Sequence, residues 1–393
     1  MKKFTFKKML VAVIALLCSV AVSAHDFEVG GIFYNITSTN SSNLEVAITY
    51  KGSSDYAFSN EYSGSVVIPE SVTYKEKTYS VTSIGSYAFC GCQGVTSVTI
   101  PNSVTSIEDN AFEGCSGLVN VKISNNVTSI RCAIFRYCTS LTDIAIPTGV
   151  TEIGNYAFDG CVNLANVIIP NSVTKMGCGV FDDTAWYNNL PNGAIYVGKI
   201  FYGYKGTMSN GVSINIKDGT LGIAVRAFDG CNGLTSVTIP SSVTSIGSYA
   251  FYYNCSNLKS IYMLGENPPV VFDFWEWRPH KMWLFDRDGQ DNIVLYVPKG
   301  TLSIYQTANQ WGNLQNIVEF DPTGIEGVED DAPAFEVTAG GIQLTAAEGK
   351  AVAVYTAGGT LVEKIDAYAG EEITLDEGVY IVRVGKKAVK VKL

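Results

Sequence analysis

Residues 81–101 read Val81-Thr-Ser-Ile-Gly-Ser-Tyr-Ala-Phe-Cys-Gly-Cys-Gln-Gly-Val-Thr-Ser-Val-Thr-Ile-Pro101. The opening tetrad returns as Val104-Thr-Ser-Ile107, Val127-Thr-Ser-Ile130, Val150-Thr-Glu-Ile153 and Val173-Thr-Lys-Met176, each 23 residues after the last. After an irregular stretch the frame resumes at Thr220, with Ile223, and at Val243-Thr-Ser-Ile246. Eight residues into every unit stands a phenylalanine: Phe89, Phe112, Phe135, Phe158, Phe181, Phe228 and Phe251. Cys-x-x-Leu and Val-x-Ile-Pro follow, as in Cys161-Val-Asn-Leu164 with Val167-Ile-Ile169-Pro170, and Cys231-Asn-Gly-Leu234 with Val237-Thr-Ile239-Pro240. Self-similarity at a fixed period marks a repeat architecture.

The spacing has a physical meaning. Val237 and Ile239 are two apart, so both point to one side of a short strand. Pro240 lacks an N–H and helps to end that strand. Burying the apolar positions of one unit falls short of the backbone entropy needed to order it. A unit must therefore stack on copies of itself, with the phenylalanines as a structural spine. The expected fold is a β-rich repeat solenoid of 23-residue units over residues 51–300.

Weaker copies flank the clear ones. Tyr56-Ala57-Phe58 with Val66-Val67-Ile68-Pro69 is a leading unit, and Val212-Ser-Ile214-Asn-Ile216 serves the unit before Thr220. Leu295-Tyr-Val297-Pro298 is a trailing strand. Residues 186–206 break the pattern. Within them, Ile195-Tyr-Val197 and Ile200-Phe-Tyr202 around Gly198-Lys199 read as a hairpin projecting from the coil. An open solenoid end exposes core and strand edge, so caps are needed. Residues 25–50 alternate apolar and polar as a hairpin cap would, and residues 264–320 supply the other cap.

Outside the repeats, Lys2, Lys3, Lys7 and Lys8 precede an apolar run and Val22-Ser23-Ala24, the pattern of a signal peptide over residues 1–24 cleaved before His25. Cleavage leaves 23 basic against 37 acidic residues and no further span-length apolar segment. Residues 321–334 hold five acids, two prolines and no base, which reads as a solvated linker. Residues 335–393 alternate over six or seven short runs, the pattern of a small all-β sandwich.

Composition excludes several functions. Of 393 residues only 2 are histidine, which argues against histidine-based catalysis and histidine-rich metal sites. The formal charge of -10 argues against a nucleic-acid partner. No glycine-rich phosphate loop follows a strand and opens a helix, and no Gly-x-Ser-x-Gly elbow is present. Asp286-Arg-Asp288-Gly289-Gln-Asp291 lacks the ligand spacing and closing glutamate of a calcium loop. Cys92, Cys115, Cys138 and Cys161 are 23 apart, with Cys231 in the same place. In an exported chain such cysteines could form a disulfide framework, but their one repeating core position favours a ladder of small buried hydrophobes. No enzyme activity, cofactor or metal is expected.

The full motif at residues 81–101 resembles the BspA-type leucine-rich repeat, its Leu-x-x-Val-x-Ile core matching the general Leu-x-x-Leu-x-Leu signature. The resemblance covers about residues 50–300 and implies a right-handed solenoid of bacterial surface and secreted proteins, with a role in protein binding or adhesion. The unit from Val173 departs from the motif after Phe181. Val352-Ala-Val-Tyr355-Thr-Ala-Gly-Gly359, Gly378-Val-Tyr-Ile-Val-Arg-Val-Gly385 and the closing Lys386-Lys-Ala-Val-Lys-Val-Lys-Leu393 are similar to the C-terminal sorting domain of the type IX (Por) secretion system. That similarity implies passage across an outer membrane and attachment at its surface.

The expected function is that of an exported, non-enzymatic binding or adhesion module. Its partner would be a protein ligand, from host matrix or another bacterial surface protein. Strand residues between the inward pairs face outward, and Asn120, Lys122, Asn166 and Tyr262 are the candidate contacts. Tyr196, Tyr202 and Tyr204 of the hairpin are added to them. The alternative is glycan capture on an aromatic platform of Trp275, Trp277 and Trp283 with Arg278 beside them. Apolar packing at the solenoid's end accounts for the same tryptophans. A polysaccharide-acting enzyme would need two acids in a cleft, and the sequence marks out no such pair.

Overall fold

The computed structural model describes residues 25–52, 61–274, 283–285, 290–320, 335–338, 340–345, 347–356, 361–376, 379–384 and 387–392. The leader, Tyr56-Ala57-Phe58, Trp275, Trp277, Arg278, the acidic turn at 286–289 and the linker 321–334 lie outside the described residues. The chain divides into two compact units: residues 1–173 with 177–190, and residues 174–176 with 191–393.

In the first unit each 23-residue coil contributes two short strands and a turn, and these lie in register with their copies in the neighbouring coils. On one side Lys77–Ile84 pairs in parallel with Ser106–Ile107, and Ser129–Ile130 with Glu152–Ile153. On a second side Gly64–Val67, Val95–Thr99 and Asn120–Lys122 form a parallel ladder, and Asp143–Ala145 pairs with Asn166–Ile168. The third side is a turn, not a strand. There the N–H groups of Phe89, Phe112, Phe135 and Phe158 donate to the carbonyls of Ala111, Ile134, Ala157 and Val180, at 2.7 to 2.9 Å. Left-handed residues bracket that turn in every coil. Tyr87, Asn110, Ala133, Tyr156 and Gly179 stand at one repeat position, with φ between 51° and 61°. Gly91, Gly114, Tyr137, Gly160 and Asp183 stand four residues on, with φ between 56° and 71°.

The core is two columns. Phe89, Phe112, Phe135, Phe158 and Phe181 stack with ring centroids 4.9 to 5.7 Å apart and planes within 12°. Tyr62 precedes Phe89 at 4.4 Å, and Trp186 follows Phe181 at 4.9 Å. Beside the rings run the cysteines. The Cys115, Cys138 and Cys161 thiols donate to the carbonyls of Phe89, Phe112 and Phe135 at 3.0 to 3.2 Å. All nine described cysteines are free thiols. Disulfides were one of the two readings of the spacing; the ladder of small buried side chains is what the coils contain.

At the N-terminal end Phe27–Val29, Ile32–Asn40 and Asn43–Thr49 form an antiparallel meander, and the last of these pairs in parallel with Lys77–Ile84. Ser71–Tyr74 folds back on Lys77–Ile84 as a hairpin. Phe27 stacks on Tyr74 at 4.2 Å and on Tyr34 at 5.3 Å, sealing this end with aromatic surface.

The second unit has two ladders. Val212–Asn215, Leu234–Ile239, Ser260–Met263, Val294–Pro298 and Asn316–Phe320 form a five-stranded parallel sheet. Ile200–Lys205, Gly222–Ile223, Ser245–Gly247 and Val270–Phe272 form the other, with Gly193–Val197 antiparallel at its edge. The expected hairpin is present, but it does not project. Ile200–Lys205 takes a coil's place in the parallel ladder, and Phe201 takes a place in the ring stack, 4.8 Å from Phe228. The stack runs on through Phe251 and Phe285 and ends against the edge of Trp311 at 6.0 Å. Trp311 Nε1 donates to the Pro269 carbonyl at 3.0 Å, and the Tyr305 hydroxyl donates to that of Gly265 at 2.8 Å. Both are buried, so this cap satisfies its polar atoms while covering the last coil.

Among residues 335–392, Phe335–Val337, Gly341–Leu344 and Ile373–Thr374 form one antiparallel sheet. Leu361–Ile365, Val352–Thr356, Val379–Val384 and Lys387–Lys392 form a second. Side chains of both sheets, among them Ile342, Val354 and Val382, meet in a single buried cluster with Tyr368 of the connection between them. No helix among the described residues is long and apolar enough to cross a membrane.

Candidate functional site

The outward face of the Val-x-Ile strands follows from period-two alternation. Val98 and Ile144 are buried, while Thr99, Asn120, Lys122, Asp143 and Asn166 are exposed. Parallel register then places like positions side by side: Ser97 opposite Asn120, Thr99 opposite Lys122, Asp143 opposite Asn166. Asn166 Nδ2 donates to Asp143 Oδ1 at 2.6 Å. Hydrogen bonds from Thr142 and Asn166 hold the Asp143 carboxyl below its ordinary range. Asn120, Lys122 and Asn166 are thus all exposed strand residues.

In the second unit the corresponding strand positions are aromatic. Tyr262 lies opposite Thr238 on one side and Tyr296 on the other. The Tyr262 and Tyr296 rings stack at 4.5 Å with planes 7° apart. Phe320 stands edge-on to both, at 5.7 and 6.1 Å. All three are half-buried, and Val318, in register with Tyr296, is 46% exposed. A hydroxyl row runs beside them, with Ser236 Oγ donating to Ser213 Oγ at 2.7 Å. Sequence reasoning found Tyr262 and missed its two companions. Tyr296 has the parity of Tyr262 within its strand, so the period of two was a sufficient signal. Phe320 sits in a strand without the Val-x-Ile-Pro signature, and nothing local marks it.

The hairpin tyrosines separate. Tyr196 is half-buried; its hydroxyl accepts from the Lys217 N–H at 3.1 Å, and the Lys217 ammonium lies 4.5 Å from its ring. Burial raises its phenol above the ordinary value. Tyr204 is half-buried as well. Tyr202 is only 8% exposed, which corrects its assignment as a contact: with the hairpin lying in the ladder, this side chain belongs to the core. Of the tryptophan platform only Trp283 is described; it is half-buried, and its carbonyl accepts from the Tyr249 N–H at 2.5 Å.

Among the described residues, no three or more His, Cys, Asp and Glu side chains are grouped to hold a metal. The thiols are poorly placed as nucleophiles, because burial pushes Cys161, Cys231 and Cys255 up to about 12.

Comparison with known proteins agrees with this geometry. The BspA type leucine rich repeat region matches residues 55–187 and 200–267 in six copies. Among solved structures, a leucine-rich repeat protein of T. pallidum is 24% identical over 63% of this chain and 85% of that one, with a TM-score of 0.35. One from Bacteroides ovatus is 22% identical over 78% of this chain and 94% of that one, with a TM-score of 0.34. A leucine rich cell surface protein of Faecalibacterium prausnitzii is 21% identical over 77% and 95%, with a TM-score of 0.32. No curated protein matches the chain. The repeat match spans more than half of the sequence and coincides with the stacked coils, and on that ground the chain belongs to the BspA-type leucine-rich repeat family.

Proposed function

We propose that the protein is an exported, non-enzymatic binding or adhesion module that presents the outward face of its parallel sheets to a protein ligand at the bacterial surface. The observation that carries this is the half-exposed Tyr262–Tyr296–Phe320 group on a rigid ladder. Aromatic anchors of this kind dominate interface energetics. They lose little side-chain freedom on binding, because the coils already fix them. Asn120, Lys122 and Asn166 would supply the polar part of such contacts, and Asn166 is already oriented by Asp143. Export rests on the leader at residues 1–24, and surface delivery on the similarity of residues 335–393 to a type IX sorting domain. The test is capture of crosslinked partners from host-matrix and bacterial-surface extracts by the full chain. A Tyr262→Ala, Tyr296→Ala double variant with a wild-type melting curve should lose at least about tenfold in affinity for any partner so found. Undiminished capture by that variant would remove the sheet face as the site.

A further inference from the structure

We propose that Arg226, Tyr249, Tyr252 and Tyr253 form a second recognition site, for a carboxylated sugar residue of an acidic polysaccharide. The site lies on the turn side of the coils and does not depend on the reading of the sheet face. Arg226 and Tyr249 occupy the same repeat position one coil apart, and both have φ of 59°. That shared left-handed backbone carries both side chains out on one side.

The guanidinium of Arg226 lies 4.9 Å from the centroid of Tyr253 and 5.9 Å from that of Tyr249. Tyr252 stands steeply to both neighbours, 86° to Tyr249 at 5.1 Å and 71° to Tyr253 at 4.7 Å, while Tyr249 and Tyr253 lie 24° apart at 6.4 Å. Tyr253 is 41% exposed. Cation–π contact engages the flat face of a guanidinium, and its N–H donors lie in the plane, so they stay available. Among the described residues Arg226 makes no ion pair and no side-chain hydrogen bond. Asp229 is near enough for Arg226 to draw its carboxyl down, but burial outweighs that pull and the two do not pair.

Arg136 of the first unit shows the contrast. It too lies over tyrosines, 4.5 Å from Tyr137 and 5.4 Å from Tyr156. Its donors, however, are taken by Asp159 at 2.8 Å and the Tyr137 hydroxyl at 2.7 Å, and Glu113 pairs with its charge at 3.8 Å. Arg136 pins coils together; Arg226 rests against the rings, and among the described residues no acceptor takes its donors. A half-buried fork held in place is pre-organised for the bidentate bonds a carboxylate makes. Beside it lie exposed ring surface, suited to the C–H face of a pyranose, and the Tyr252 and Tyr253 hydroxyls, suited to its hydroxyl groups. An acidic peptide would use the guanidinium but has no equivalent demand for three clustered tyrosines.

The test is affinity electrophoresis of the full chain in gels containing polygalacturonate, its fully methyl-esterified form, or polyglutamate. Polygalacturonate should retard the protein. The ester, Arg226→Gln and Tyr253→Ala should each weaken retention at least about tenfold, whereas Tyr262→Ala should not change it. Arg226→Lys keeps the charge but loses the fork, and should also bind more weakly. If Arg226→Gln does not fold, Tyr253→Ala and the ester decide the question. No retardation by polygalacturonate, equal retardation by the ester or by polyglutamate, or retention unchanged in the folded Arg226 and Tyr253 variants would overturn the proposal.

Discussion

Cys138 explains why a repeat of this kind uses cysteine at one core position. The site lies between coils, has room for a small side chain, and faces the Phe112 carbonyl, which the thiol satisfies at 3.2 Å. The same carbonyl also accepts from the Cys115 N–H at 3.1 Å, so Cys138→Ala removes a second donor without orphaning the acceptor and should cost about 0.5–1.5 kcal/mol in urea denaturation, the net worth of one hydrogen bond. Phe135→Ala, in the middle of the ring stack, should cost about 3–5 kcal/mol by the same measurement. The thiols also set a pH dependence. Burial pushes Cys90, Cys132, Cys161, Cys231 and Cys255 from 9.0 up to about 12. Their ionisation is thus easier in the unfolded chain. The stability this contributes is complete below the unfolded value of 9.0 and is lost as pH rises toward about 12. Urea midpoints should therefore fall steadily from pH 8.5 to pH 11, roughly the window between those values. A flat profile would mean that the thiols are not buried in this way.

At the scale of the element, the turn side shows where the sequence was legible and where it was not. The phenylalanine spacing predicted the ring stack directly, because a core position repeats with the coil. It did not predict Phe201, since the hairpin around Gly198 carries no Val-Thr-Ser-Ile frame to number from. Nor did it predict that a non-glycine residue would stand in the left-handed region in coil after coil. Tyr87 and Tyr156 share this position with Asn110 and Ala133, three unrelated side-chain types, so the backbone constraint is invisible in their identities. That is also why the Arg226 and Tyr249 pairing escaped the sequence reading: both were unremarkable residues in a turn. The constraint is testable at Ala133, whose φ of 51° is costly for a residue with a Cβ. Ala133→Gly should stabilise the protein by roughly 0.5–1 kcal/mol in chemical denaturation, despite the entropy glycine adds to the unfolded chain. Gly177→Ala should act in the opposite sense. A Cβ at Gly177 would stand 2.4 Å from the Asn155 backbone nitrogen and 2.6 Å from its Cα, so adjacent coils would have to part.

At the scale of the whole molecule, stability comes from contacts between neighbouring coils, and the ends matter more than their size suggests. Each coil is held by ladders to the next, so a solenoid behaves as a row of coupled units and not as one undivided core. Trp311 is the sharpest test of this. Its ring covers Phe285, its Nε1 is bonded to the Pro269 carbonyl, and Tyr305 packs beside it at 6.3 Å. Trp311→Ala would remove the apolar cover and leave the Pro269 carbonyl unpaired, a loss of about 3–5 kcal/mol at that end. In a single cooperative core the loss would be shared by all amides alike. In a row of coupled coils, hydrogen-exchange protection should fall most in the strands Asn316–Phe320 and Val294–Pro298, less at Ser260–Met263, and little at Val212–Asn215. The same variant would loosen Phe320 beside Tyr262 and Tyr296, and so should weaken any ligand held on that face while leaving the Asn120–Asn166 region protected. Uniform loss of protection along the second unit would show that the coils melt together and would remove the nearest-neighbour account of its stability.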